Sequence, residues 1–346
     1  MPQSADQGAR PMLKRHLLDR REVLAATAAL ALAGTGAPAR AQDLPKIRVG
    51  WLRSSLSLVL HPIAVEEGFY KKNGVEPVTR AIRSGDGSIG PQTVMSGELD
   101  VYIGVISDVA KINSESLEVG RAPPLAVVAL GSPGATNLVL RSALPYSTLD
   151  DLKGLRIGVS SLGSAHLVTF RRYLAEQNTT VERLGLRLVA VGGGDMPPAL
   201  VSNQIDGFLH SQPTPAIAVA TGQAKLVLAP SQMGIAGTSP NVGIIVSRRW
   251  AAANKATLTK LVAALGEASD AYPSIPRDRV VEIAAKHLGG EPDVIAASHA
   301  SVDPRLVSPQ TGADIYWSVE MTAMIARGEV GKNFQQKDLF DFALAR

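Results

Sequence analysis

The chain contains no cysteine. Disulfides, thiolate metal sites and a cysteine nucleophile are therefore excluded. Aromatic residues make up only 4% of the 346 residues, so stacking on rings is not the main means of holding a ligand. Excess charge is also missing from most of the chain. The formal net charge is +4, but residues 1–41 carry Arg10, Lys14, Arg15, Arg20, Arg21 and Arg40 against Asp6, Asp19 and Glu22, a net +3 that leaves the remainder near +1. Such a balance gives no electrostatic reason to bind nucleic acid. No apolar run approaches the roughly 20 residues that span a bilayer. What is present is 45% hydrophobic and 19% charged residues, the composition of a globular protein of one large or two medium domains.

The first residues read as an export signal. A basic region ends at Arg20-Arg21, a mildly apolar run extends from Val23 to Ala33, and small residues lead to Ala39-Arg40-Ala41, an A-x-A cleavage pattern before Gln42. Arg20-Arg21 followed by Glu22-Val23-Leu24 resembles a twin-arginine signal, although Asp19 replaces the usual hydroxyl residue and Val23 the preferred Phe. A general secretory signal with incidental arginines is the alternative. Either route places the protein in the periplasm, without a lipid anchor.

After Asp43 apolar runs alternate with helical patterns. "KIRVGWL" (Lys46–Leu52), "VEPVTRAI", "VYIGV" and "PLAVVAL" (Pro124–Leu130) read as strands separated by helices, one of them "SLVLHPIAVEEGFYKKNG" ending at Gly74. The pattern then restarts with "TNLVLRS", "LRIGVS", "LRLVAV", "IDGFLHS" and "AKLVLAP", and "NVGIIVS" (Asn241–Ser247) adds one more strand. From Arg248 onward only helical patterns remain. Alternation of this kind predicts mostly parallel sheets with helices on their faces, in two α/β lobes with a helical tail.

Five phrases carry a family resemblance: "IAVEEGFYKKNGVEP", "SGELDVYIGVISDVAKI", "STLDDLKGLRIGVSSLGSAHL", "DMPPALVSNQIDGFLHSQP" and "VDPRLVSPQ". In this order, over about residues 46–340, they resemble the periplasmic solute-binding proteins of ABC importers, within the sulfonate, taurine and nitrate group and its pyrimidine-precursor relatives. The resemblance implies an α/β, two-lobed periplasmic-binding-protein fold (Venus flytrap, type II) with a helical C-terminal extension. Lobe one would comprise residues 44–138 plus 243–346, and lobe two residues 139–242. It further implies a monomer that binds a small anionic ligand between the lobes and delivers it to a membrane permease, with no cofactor, no metal and no catalytic residue. Enzymes on related folds, a desulfinase and pyrimidine-synthesis enzymes, need a cysteine or a cysteine-rich motif that this chain lacks.

Ligand-binding candidates follow strand ends. Ser160-Ser161-Leu162-Gly163-Ser164 closes a strand and opens a helix, so its amides and hydroxyls suit an anion; plain capping by Ser164 fits the same residues. His166 sits in the first helical turn, facing the ligand or the interior. Arg53, with Ser54 and Ser55, follows the first strand, and its guanidinium suits bidentate capture of a sulfonate or carboxylate. Ser107 and Asp108 follow the third strand, where Asp108 either caps a helix or accepts from an amine. Gly85-Asp86-Gly87-Ser88 and Gly192-Gly193-Gly194-Asp195 read as capped turns before helices. His210-Ser211-Gln212-Pro213 occupies the place where the family closes over its ligand; Gln212 stands there instead of an acid, which disfavours a cationic ligand. A remaining enzymatic reading would use His166 or His210 as a base. Trp51, on an apolar strand, reads as core.

The signal reading has a direct test. Mass spectrometry of the exported protein is expected to find Gln42 as the first residue. Replacing Arg20 and Arg21 by Lys blocks export if the twin-arginine route is used, whereas normal export of that variant identifies the general secretory route.

Overall fold

"KIRVGWL" forms strand β1 (Lys46–Leu52), and its apolar residues Ile47, Val49 and Trp51 are buried. It pairs in parallel with β2 (Glu76–Ile82) and β3 (Val101–Val105). The strand β4 (Leu125–Pro133) lies at the far edge, and β10 (Pro240–Ser247) runs between β3 and β4, antiparallel to both. The second sheet repeats this plan. Its order is β7-β6-β8-β5-β9, from β5 (Asn137–Arg141), β6 (Arg156–Val159), β7 (Arg187–Ala190), β8 (Gly207–His210) and β9 (Ala224–Leu228), with β5 antiparallel to both neighbours. Each sheet is thus mostly parallel, and the one reversed strand is the one the chain supplies on crossing from the other sheet. The computed structural model describes residues 44–82 and 89–346; the export segment and the Gly85–Ser88 turn lie outside the described residues.

Both sheets are covered on both faces. In the second, Leu138 and Leu140 pack with Leu209 toward Leu167, Phe170 and Leu174, while Val139 packs with Phe208 toward Met196 and Leu200. Alternating strand residues serve opposite faces because successive side chains point to opposite sides. The helix expected to run unbroken to Gly74 divides instead into Leu60–Glu66 and Phe69–Lys72, because Gly68 adopts a left-handed conformation between them.

The restart seen in the sequence is a structural repeat. "SGELD" (Ser96–Asp100) and "SNQID" (Ser202–Asp206) end a helix and enter β3 and β8. Gly97 and Asn203 occupy the same left-handed position, with φ of 79° and 60°; after glycine, asparagine tolerates it best. Leu99 and Ile205 then enter the two cores, and the aspartates clasp the neighbouring strand. Asp100 accepts from the Arg48 amide (2.8 Å) and from its guanidinium Nε (3.1 Å). Asp206 accepts from the Arg156 amide and from its Nε and Nη2, each at 2.9 Å. These bonds hold the Asp206 carboxyl well below the usual carboxylate range.

The chain crosses between sheets at residues 134–136 and 229–239. The Gly134 amide donates to the Ser239 carbonyl (3.2 Å). Gly134 has φ of 71°, and a β-carbon there would overlap the Gly237 carbonyl, so only glycine allows the two crossings to touch. The helical tail makes a third connection. Tyr316, Met321 and Met324 belong to the first core, but Val319, on the π-helical turn Trp317–Met321 between them, packs into the second. Next to it, buried Glu320 accepts from Thr169 Oγ1 (3.1 Å) on the second lobe's helix Ala165–Glu176.

Burial pushes the Glu320 carboxyl up to about 8. A carboxyl raised in the folded state binds its proton more tightly there, so its stabilising contribution is complete below the unfolded value near ~4.3 and is lost as pH rises toward the folded value. Glu320→Gln keeps an acceptor for Thr169 without the charge. Its stability, measured by urea denaturation, is expected to match the parent near pH 4 and to exceed it increasingly up to pH 8.

Candidate functional site: a polar cleft between the two sheets

A cavity of about 330 Å³ opens between the sheets, beyond the carboxyl ends of β1, β3, β6 and β8. That is where open α/β sheets place ligands, because the loops following the strands diverge there and helix N-termini point in. From the first lobe come Ser54 and Ser55, after β1, and Ser107, Asp108 and Lys111 from α1 (Ser107–Glu118). From the second come Ser160, Ser161, Gly163 and Ser164, then Ala165 and His166 at the start of α2 (Ala165–Glu176), with His210 at the end of β8 and Ser211 after it. Ala135, on the first crossing, and Asn241, at the start of β10, line it as well.

The Ser160–Ser164 turn is built as a helix start. The Ser164 amide donates to the Ser161 carbonyl (3.1 Å), and the Ser164 hydroxyl oxygen accepts from the Leu167 amide (3.4 Å). Ser164 therefore caps the helix, and its hydroxyl proton stays free to donate into the cleft. The first two helical amides, Ala165 and His166, have no acceptor among the described residues, as expected for N-terminal groups that the helix cannot satisfy. The helix dipole favours negative charge at this end. A β-carbon on Gly163 would stand 3.4 Å from the Glu329 carboxylate, so the turn is backed by the helical tail.

Two histidines flank the turn. His166 Nδ1 lies 3.1 Å from the Thr136 hydroxyl, and its ring centre lies 5.1 Å from that of His210. Burial and the neighbouring His210 push His166 down to about 3. Burial also lowers His210, whose Nδ1 donates to the Ser211 carbonyl (3.0 Å). Both rings are thus neutral at pH 7, as a helix N-terminus favours for His166.

Of the ten binding candidates, the structure brings eight to this cavity: Ser54, Ser55, Ser107, Asp108, Ser160, Gly163, Ser164 and His166. Arg53 does not line it. Its amide continues the β1–β2 pairing by donating to Ile82 O (3.0 Å), and the alternation of side chains turns its guanidinium away, toward Gly289. Gln212 is buried in another role. Its Oε1 accepts from the Ala216 amide (3.1 Å) in α3 (Thr214–Ala220), and its Nε2 donates to Ser301 (3.0 Å), just beyond α4 (Pro292–His299). Its carbonyl accepts from the Leu56 amide (3.0 Å), so Gln212 ties the second lobe to the first. Gly193 packs its α-carbon against the His210 ring rather than facing the cavity, and Asp195 makes no side-chain cap. Trp51 is buried beside His61 and His287.

Lys111 and Asn241 went unread in the sequence. Lys111 follows Asp108 by three residues and so shares its helix face; that spacing was available as a signal. Its ammonium lies 3.5 Å from Glu329, which also accepts from Arg327 Nε (2.5 Å). Asn241 is the second residue of β10, and nothing local marks it, since its place beside Ile106 comes from the long-range pairing of β10 with β3.

Two lobes, two crossings and a cleft at the strand ends define the periplasmic-binding-protein fold. The model of the NMT1-like family matches residues 40–287, and the chain belongs to that family. A Brucella abortus protein, named only as a candidate binding protein, is 26% identical over 274 residues, 78% of this chain and 79% of its own. The periplasmic aliphatic sulphonate binding protein of Escherichia coli superposes with a TM-score of 0.68 at 18% identity, over 86% of this chain and 92% of that one. The periplasmic nitrate-binding protein of Synechocystis gives 0.67 at 13% identity, over 87% of each chain. At these identities the two structures establish the fold. No helix among the described residues is long and apolar enough to cross a membrane.

Proposed function

We propose that the protein is the exported solute-binding component of an ABC importer. It is a monomer without catalytic activity that captures a small organic anion of the sulfonate or carboxylate class and delivers it to a membrane permease. The observation that carries this reading is the helix start at Ser160–Ser164. Two unpartnered amides, a free hydroxyl proton and a helix dipole converge on a cavity between two lobes. The names of the sulphonate- and nitrate-binding structures support a small anion as ligand, and the first of them a sulfonate. Lys111 supplies the cation, in place of Arg53.

Capture works by closure. The lobes are joined by two crossings that touch at Gly134 and Ser239, and relative rotation there would bury a ligand in the cleft. A ligand favours the closed form by its difference in affinity for the two states. A signal cleaved after Ala41 would deliver the protein to the periplasm.

Calorimetric titration with ethanesulfonate and propanoate tests the seat. Ser164→Ala is expected to weaken the better of the two while leaving the amides to bind, a loss of roughly 1.5–3 kcal/mol for one hydrogen bond to a charged group. Lys111→Met is expected to weaken it as well. If both variants are folded by circular dichroism and bind like the parent, the turn is only a helix cap. Small-angle scattering is expected to show a smaller radius of gyration with ligand.

A further inference from the structure

The helical tail is built on the first core but is anchored in the second lobe. Tyr316, Met321 and Met324 pack in the first core, whereas Val319, on the π-helical turn Trp317–Met321, packs in the second. Beside Val319, Glu320 is 2% exposed and accepts from the hydroxyl of Thr169 (3.1 Å), itself a buried residue. Thr169 lies about a turn and a half beyond Ser164, which caps α2 at the cleft. Across a dry contact, the tail thus grips the helix whose start lines the cavity.

A carboxyl in such a contact is costly when ionised, because a charge taken out of water needs a close partner. Glu320 makes no ion pair among the described residues. Arg327 acts on it from the tail, but its Nε donates to Glu329 (2.5 Å), and Lys111 on α1 is likewise directed to Glu329 (3.5 Å). Burial, with Glu320 and Asp108 near, pushes the Tyr316 phenol up, so that neighbour is neutral. On α2, His166 and Tyr173, a turn either side of Thr169, are neutral too, and Arg172 is paired with Glu176. The Thr169 hydroxyl is then the bond that meets the carboxyl from the second lobe. Burial leaves the proton on Glu320 in this position and raises it to about 8. Wherever water reaches it, the same carboxyl ionises at ~4.3.

We infer that Glu320 is a proton-operated strap between the two lobes. Protonated, it stays in its dry contact with Thr169 and holds α2 against the tail. Ionised, it is drawn into water and leaves the second lobe free to swing. The strap rests on the hinge motion proposed above and on no particular solute. Linkage sets its working range. The fastened form binds the proton more tightly, so the ratio of fastened to released molecules is highest below ~4.3. It falls by at most about tenfold per pH unit above that value, and is level beyond about 8. A π-turn suits the task, since its extra residue lets Glu320 withdraw without unwinding the helices on either side.

The absence of cysteine allows two to be introduced as label sites. Nitroxides on Val119→Cys in the first lobe and Gln204→Cys in the second, both exposed and outside the cleft, report the distance between the lobes by pulsed electron resonance. The protein without added solute is expected to shift its distance distribution between pH 5 and pH 8.5. Glu320→Gln keeps an acceptor for Thr169 but cannot ionise, and is expected to hold the pH 5 distribution at both values. Glu320→Leu serves the same purpose if circular dichroism shows the first variant to be poorly folded. A parent distribution that ignores pH overturns the strap, as does an equal shift in the variant that cannot ionise. The hinge is judged separately, by scattering at constant pH. Contraction on binding ethanesulfonate or propanoate leaves it standing whatever the strap does, and no contraction where calorimetry shows binding overturns it.

Discussion

The first sheet is closed by a strand that the chain supplies only after it has built the second sheet. Strand β10 enters between β3 and β4 and pairs with both, and Ile244, Ile245 and Val246 within it are almost wholly buried. Until β10 arrives, β3 and β4 have no neighbour on their facing edges, and an unpaired buried ladder is costly. Strand β5 fills the matching place in the second sheet. The two lobes therefore do not fold as beads on a string. Each is completed by a segment that has just left, or is about to return to, the other. The crossings touch each other at Gly134 and set the cleft between the ends of the remaining strands.

That interleaving decides the chemistry of the cleft. Because four strands of each sheet run one way, their carboxyl ends, and the helix N-termini that follow, face the gap from both sides. One lobe brings the unsatisfied amides of α2, and the other brings the first turn of α1 with Asp108 and Lys111. Histidine is common in binding sites as a charge, but here burial holds His166 and His210 neutral, so they contribute shape and neutral hydrogen bonding. The charged side chains that line the cleft are instead Asp108 and Lys111; behind Lys111 stands the Glu329–Arg327 pair, and Glu329 also backs the turn at Gly163.

The tail complicates a simple picture of two bodies on a hinge. Its π-helical turn inserts Val319 into the second core while the flanking residues stay in the first, and Glu320 reaches Thr169 on α2. On the other side, Gln212 ties α3 to the segment after α4. Under the proposed closure, these contacts would be strained or remade, and the tail would then contribute to the balance between the open and closed forms. A π-turn is a reasonable place for such compliance, because its extra residue loosens the regular helical hydrogen-bond ladder.

Much of this was legible in the amino-acid order. Periodicity marked the strands, with β1 and β3 at their observed ends, because burial on both faces demands continuous apolar runs. The restart of the strand pattern at "TNLVLRS" signalled two copies of one plan; that "SGELD" and "SNQID" hold matching places in them emerged from the fold, where each aspartate clasps the arginine of the adjoining strand. Ser164 was recognisable as a helix start because capping is chemistry between near neighbours. Arg53 and Gln212 could not be placed that way. Whether a loop residue faces the cleft depends on the strand alternation that precedes it and on partners such as Ile82 and Ser301, the latter distant in the chain. Asn241 and Glu329 reach the site only through β10 and the tail, so their roles were decided by tertiary pairing. The sequence by itself determined which segments become strands, helices and caps, since those depend on local periodicity and hydrogen bonding. Only the folded chain decided which polar groups share the cleft and which are left without partners, since those depend on what long-range packing brings together.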